Sequence, residues 1–193
     1  IEMTTHSRPP FDAELEPALE VAPAFFTTLR PDSIAEFRAA TTRPASLDEV
    51  IAGRPVQITD YAVTGHGGGE ITITVLRRDG HEGAAGPGVY FIHGGGMVGG
   101  SRWAVVPMLV EWVLEYEVVA AAVEYRLAPE FGDPVPVEDC YAGLEWFVGR
   151  ADVLGFDPRR LLIGGPSAGG GLSIGTTLLA RDRGGPMPTA MLL

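Results

Sequence analysis

"RRLLIGGPSAGGGLSIGTTLLARDRGG", residues 159–185, runs from an apolar segment through a glycine-rich turn into a helix-like stretch. Residues 159–165 read as a strand, and 167–185 as a helix closed by glycines. The turn between them spells G-x-S-x-G at Gly165, Ser167 and Gly169. Small residues two positions to either side let a serine adopt strained dihedrals without a clash. The helix that follows aims its N-terminal N–H groups and positive dipole end at any negative charge gathering there. A serine hydroxyl is nevertheless a weak nucleophile without a base in hydrogen-bond reach. Taken alone, the turn carries two readings: an exposed nucleophile, or a glycine-rich connection with an incidental serine.

The same alternation extends outward. "PGVYFIHGGG" (87–96) is a short apolar run ending in glycines, as expected of a strand buried on both faces. Residues 102–116 read as a helix with Pro107 near its first turn, 117–125 as a buried strand, and 134–155 as a helix entered through prolines. In that last helix Val137, Cys140, Leu144 and Phe147 fall at helical spacing. "PTAMLL" (188–193) begins another apolar strand. Strand–helix–strand repetition implies a mostly parallel α/β sheet with helices on both faces, incomplete at the C-terminal side. Upstream, strands over 55–63 and 70–78 flank "TGHGGG" and read as an antiparallel hairpin. Residues 1–45, rich in Pro, Ala and Glu, suggest two short helices within 13–29 and 31–40. The expected organisation is therefore helices over 1–45 and a sheet domain over 46–193.

A chain of 193 residues suffices for one sizeable domain. Its formal net charge of −11 argues against nucleic acid and anionic membrane surfaces as partners. A small neutral or apolar substrate is compatible with that charge. The longest apolar stretch, 118–123, is far too short to span a bilayer, and the first residues lack a signal-peptide pattern. The single cysteine, Cys140, forms no internal disulfide and suits a reducing cytoplasm; it reads as a packed helix residue.

Two further stretches bear on the serine. "HGGG" (93–96) abuts a buried strand, and its glycines let backbone N–H groups converge on one point. Such a loop is the usual partner of a serine elbow in forming an oxyanion site. His93 precedes the serine and belongs to this loop, so an orienting role suits it better than that of a base. "EYRLAPE" (124–130) ends the next strand, with Arg126 and Glu130 expected to pair and fix this loop against the glycines.

In this order and at these strand ends, the three stretches resemble the hormone-sensitive-lipase-like carboxylesterases (bacterial family IV) of the α/β-hydrolase fold. The resemblance runs from about residue 50 to 193, and it makes the N-terminal helices the start of that family's cap. It implies Ser167 as nucleophile, the N–H groups of Gly95, Gly96 and Ala168 as the oxyanion hole, and His93, Gly94, Arg126 and Glu130 as supporting loop residues. The implied reaction is hydrolysis of a small ester through an acyl-enzyme, with no cofactor and no metal.

Two departures stand out. The family writes its elbow G-D-S-A-G-G, whereas Pro166 here supplies neither an N–H nor a carboxylate. In α/β-hydrolases the acid and then the histidine follow the serine. The 26 residues after Ser167 contain no histidine and one carboxylate, Asp182, while His6, His66, His81 and His93 all precede it. Three explanations stand open: the N-terminal part of a longer enzyme, one chain of a split enzyme whose partner supplies Asp and His, or an inactive homologue that binds a small molecule or a protein. An amidase or other acyl-transfer enzyme is a further alternative.

Overall fold

The computed structural model describes residues 9–21, 29–41, 47–51, 53–81, 83 and 86–193. The chain divides into two compact units, residues 1–33 and 34–193. The first contains helix α1 (Glu16–Val21) and a 3₁₀ turn, Pro31–Ser33. Residues 22–28, within the first expected helix, and His6 lie outside the described residues. The helix expected over 31–40 is a 3₁₀ turn followed by α2 (Ile34–Thr41), which belongs to the larger unit.

The larger unit continues with α3 (Leu47–Ile51), which the sequence pattern did not announce, then β1 (Val56–Thr64) and β2 (Glu70–Arg78). Next come β3 (Gly86–Ile92), α4 (Val106–Tyr116), β4 (Val119–Glu124), α5 (Val135–Val148) and α6 (Ala151–Leu154). The unit ends with β5 (Phe156–Gly164), α7 (Ala168–Arg183) and β6 (Ala190–Leu192). The six strands form one sheet in the order β1-β2-β4-β3-β5-β6. β1 pairs antiparallel with β2, and β2 antiparallel with β4, while β4, β3, β5 and β6 run parallel. This is the mostly parallel sheet with an antiparallel N-terminal hairpin that the sequence predicts.

Three boundaries differ from the sequence reading. The single helix expected over 134–155 breaks at Gly149 into α5 and α6, and β5 starts at Phe156 rather than 159. Residues 102–104 form a 3₁₀ turn before α4, because Pro107 fits only the opening of a helix.

The pleat divides the core into two layers. On β4, Val119, Ala121 and Val123 face a cluster containing Cys140, Leu144 and Phe147 of α5 and Leu172 of α7. Ala120 and Ala122 face Val106, Leu109, Val110 and Val113 of α4. β3 alternates likewise, with Tyr90 and Ile92 on the α5 side and Val89 and Phe91 on the α4 side. Tyr90 lies beside Ala121, and Phe91 beside Ala122. Small residues on β4 thus make lateral room for two rings on β3. β6 differs: Ala190, Met191 and Leu192 are all exposed. Among the described residues no helix is long and apolar enough to cross a membrane.

Because Tyr90 already fills the space beside Ala121, Ala121→Leu overpacks the layer and costs about 1–3 kcal/mol. Thermal unfolding followed by circular dichroism then shows Tm lower by several degrees, at about 2–4 °C per kcal/mol for a domain of this size. An unchanged Tm contradicts this packing.

Candidate active site

β3 and β5 lie side by side, yet their onward connections part. β3 leads to α4 on one face of the sheet, and β5 leads to α7 on the other. Loops leaving neighbouring strands toward opposite faces open a site at the strands' carboxyl ends. The glycine loop 93–100 leaves β3 there, and the serine turn 165–169 leaves β5.

Ser167 is the N-cap of α7 with φ 55° and ψ −120°, a strained conformation for a residue with a side chain. Its exposed position puts the hydroxyl in solvent at the helix N-terminus. The turn is closed by Gly169 N donating to Pro166 O (2.9 Å) and Gly170 N to Ser167 O (3.0 Å). Pro166 is also exposed, so its missing N–H leaves no bond unmade inside the turn.

The glycines of the turn are required by close approach. A Cβ on either Gly165 or Gly169 would fall onto the carbonyl oxygen of Ile92, the last residue of β3. In return, a Cβ on Gly94 would stand 2.8 Å from Pro166 O and 3.6 Å from the Ser167 Cβ. The glycine loop and the serine turn therefore touch. No hydrogen bond among the described residues takes up the N–H of Gly95, Gly96 or Ala168.

His93 is fully buried and stacked on Tyr125, with ring centroids 4.3 Å apart. Its Nδ1 lies 2.7 Å from Gly94 O, which only accepts, so Nδ1 carries the proton. Among the described residues Nε2 has no hydrogen-bond partner, and it lies 3.7 Å from Glu124 Oε1. Burial pushes the His93 pKa down, against the opposing pull of the Gly94 carbonyl and Glu124, and nearby Arg102 lowers it further. The ring is thus a neutral buckle that fixes the first peptide of the glycine loop. Tyr125 Oη also donates to His93 O (3.1 Å). Glu124 in turn is held by Arg102, through Nη1 (2.8 Å) and backbone N (3.1 Å). Arg102 reaches onward to Thr74 Oγ1 and Asp60 Oδ2.

The expected pairing of Arg126 with Glu130 is not the one formed. Arg126 pairs with the fully buried Asp139 of α5, through Nε (2.8 Å), Nη2 (2.7 Å) and its backbone N (3.1 Å). Asp139 also accepts from His66 N (2.9 Å), while Arg126 Nη2 donates to His66 O (2.7 Å). Asp139 wins because a guanidinium held beside a buried carboxylate satisfies both, whereas Glu130 is half exposed. Glu130 instead takes a bidentate pair from Arg38 of α2, at 2.9 and 2.6 Å, which holds its pKa at about 2. Asp182 pairs with its neighbour Arg181 on the surface, and His81 Nε2 lies 2.7 Å from Gly155 O. Cys140 is buried, its thiol pKa pushed up by the burial. All fourteen basic residues of the chain are arginines.

Asp60, Arg102, Glu124, Asp139 and Arg38 were not singled out from the sequence. Asp139 alone carried a local signal, an acid directly before Cys140 on the apolar side of a helix. The partners of the others lie far away in the chain, Arg38 and Glu130 being 92 positions apart.

Residues 89–193 match the family model described as the alpha/beta hydrolase fold. The chain is 32% identical over 195 residues to carboxylesterase NlhH of Mycobacterium tuberculosis, covering 98% of this chain and 58% of that protein. It is 36% identical to hormone-sensitive lipase of Mus musculus over 104 residues, 54% of this chain and 14% of the lipase. Among solved structures, a bacterial heroin esterase superposes with TM-score 0.75 at 34% identity, over 91% of this chain and 56% of that one. A hyperthermophilic esterase from Pyrobaculum calidifontis gives TM-score 0.76 at 31% identity, over 95% and 58%. The chain spans rather more than half the length of the mycobacterial esterase and of these two structures.

Replacing the Asp139 carboxylate by an amide takes the counter-ion from Arg126 and one acceptor oxygen from the set shared by its guanidinium and the backbone N–H groups of Arg126 and His66. Asp139→Asn is expected to cost about 3–5 kcal/mol in urea unfolding, the range for breaking one side of a buried pair. His93 generates a separate pH dependence. Its folded pKa lies below the ordinary 6.5, so the unfolded chain binds the extra proton first, and stability falls as pH drops below that value. His93→Asn flattens the urea midpoint against pH just below 6.5; an unaltered slope contradicts a neutral buried ring.

From its sheet order, its serine elbow and these similarities, the chain belongs to the α/β-hydrolase family, in its hormone-sensitive-lipase-like carboxylesterase group.

Proposed function

We propose that this chain is the nucleophile-bearing part of a carboxylic ester hydrolase that works through a serine acyl-enzyme. The observation that carries the reading is the strained, exposed Ser167 at the N-terminus of α7, in contact with a glycine loop in which, among the described residues, the N–H groups of Gly95 and Gly96 are not taken up. Ser167 Oγ attacks the ester carbonyl carbon, and the C=O electron pair moves onto oxygen. The N–H groups of Gly95, Gly96 and Ala168 receive that oxyanion, aided by the dipole of α7. Collapse expels the alcohol, and water later releases the acid.

The base that takes the serine proton, and the carboxylate that orients it, are contributed by residues other than these 193. His93 is buried with its proton committed to Gly94, and Asp182 is committed to Arg181. A further segment of the same protein or a second chain supplies them. The substrate is an ester, as the named activities of the mycobacterial and archaeal relatives suggest, and the steps above use no metal or cofactor. The buried lone thiol of Cys140 suits a reducing compartment such as the cytoplasm.

A fluorophosphonate probe is expected to label Ser167 in the complete protein. Ser167→Ala abolishes labelling and lowers kcat for p-nitrophenyl esters by about 10⁴-fold or more. A complete protein whose Ser167 resists the probe, and which binds a small ester without cleaving it over hours, is a binding homologue instead.

A further inference from the structure

Beyond the residues that face the serine, the glycine loop is gripped from outside by a single helix. Phe37, Arg38 and Thr41 of α2 occupy one side of its last turn, at the i, i+1 and i+4 positions. Arg38 Nε donates to Val98 O (2.7 Å), and its Nη2 donates to Ala128 O (2.9 Å). The same guanidinium holds Glu130 in the bidentate pair described above. Thr41 Oγ1 accepts from Gly100 N (3.1 Å) and donates to Phe37 O (2.8 Å). The Phe37 ring lies so close to Gly99 that a Cβ there would stand 2.6 Å from it. A further tie links the two loops directly, Ala128 N donating to Met97 O (2.8 Å).

The consequence is mechanical. Gly95 and Gly96 have φ of 118° and 64°, and Met97 has 61°, so this loop departs from regular structure over three successive residues. Inside the loop, Val98 N and Gly99 N both donate to Gly95 O. On its outer side, among the described residues, Val98 O and Gly100 N take their hydrogen bonds from α2. Because these glycines lack side chains to pack, their N–H directions depend on where Val98 and Gly100 are pinned.

We propose that Arg38 and Thr41 are positioning residues for the hydrolytic reaction, setting the aim of the Gly95 and Gly96 N–H groups without touching the substrate. This rests on the ester-hydrolase reading above. Misdirected donors weaken the transition state, where charge has moved onto the oxygen, more than the bound substrate. The signature is a fall in kcat at nearly constant KM. Arginine suits the task because one planar fork serves two backbone carbonyls and a carboxylate; lysine places a single ammonium and cannot span all three.

The test uses the complete protein and short p-nitrophenyl esters. Arg38→Ala and Arg38→Lys are both expected to lower kcat about tenfold or more with KM within about twofold. Thr41→Val, which keeps shape and loses the hydroxyl, lowers kcat in the same way, and Thr41→Ser restores it. In each impaired variant, amide hydrogen exchange in a peptide spanning 93–101 is faster than in the parent, while peptides from β4 and α5 are unchanged. Should Arg38→Ala fail to fold, Arg38→Lys and the Thr41 pair decide the matter. An active parent with Arg38→Lys and Thr41→Val within twofold of its kcat overturns the positioning role and leaves the hydrolase reading intact. An inactive parent whose Ser167 resists fluorophosphonate overturns both.

Discussion

The carbonyl of Ile92 is the constraint around which the site is built. It ends β3 and presses against two glycines that bracket Ser167, one on each side of the elbow. A side chain at either position would separate β3 from the turn and carry the glycine loop away from the serine. The G-x-S-x-G spacing is therefore a packing requirement before it is a catalytic one. The strained dihedrals of Ser167 follow from the same contact, because the chain must reverse into α7 with no lateral room. Such strain persists only where the surroundings over-determine it. Here they do, through the helix bonds below and the β3 peptide beside it.

Around that contact, two guanidinium systems fix the segments following β3 and β4. Arg102 gathers Thr74, Asp60 and Glu124 beneath His93, tying the antiparallel edge of the sheet to the buckle of the glycine loop. Arg126 gathers Asp139 and the His66 peptide, tying the tip of the β1–β2 hairpin to α5. Across the two systems, charge is taken from water fully at Asp139 and in part at Arg102 and Glu124, and each carboxylate offsets the cost with at least two hydrogen bonds. They define loop position more than they raise stability. A hydrophobic replacement could pack the same volume, but it could not hold a backbone N–H and a guanidinium together.

Much of this was legible in the sequence. The strand–helix alternation, the hairpin, the elbow and the glycine loop each carried a short-range signature, and the fold follows from them. The pairing of Arg126 is not legible there, because Glu130 lies four positions away and Asp139 thirteen, and proximity in the chain says nothing about burial. Residue Arg38 was invisible for a stronger reason. Its four hydrogen bonds go to residues 60 to 92 positions distant, and two of the acceptors are backbone carbonyls, which have no residue type to recognise. The break between α5 and α6 was missed because the apolar spacing continues through Gly149.

The exclusive use of arginine has a consequence for chemistry performed on the protein. A guanidinium keeps its charge at any pH a protein survives, so the pairs that assemble these loops have no alkaline limit. They loosen only in acid, and the pair with Arg38 holds until Glu130 titrates at about 2. Reagents directed at primary side-chain amines find no target anywhere in the 193 residues. Crosslinkers, dyes and supports that couple through lysine would leave both loops and their clamps chemically untouched.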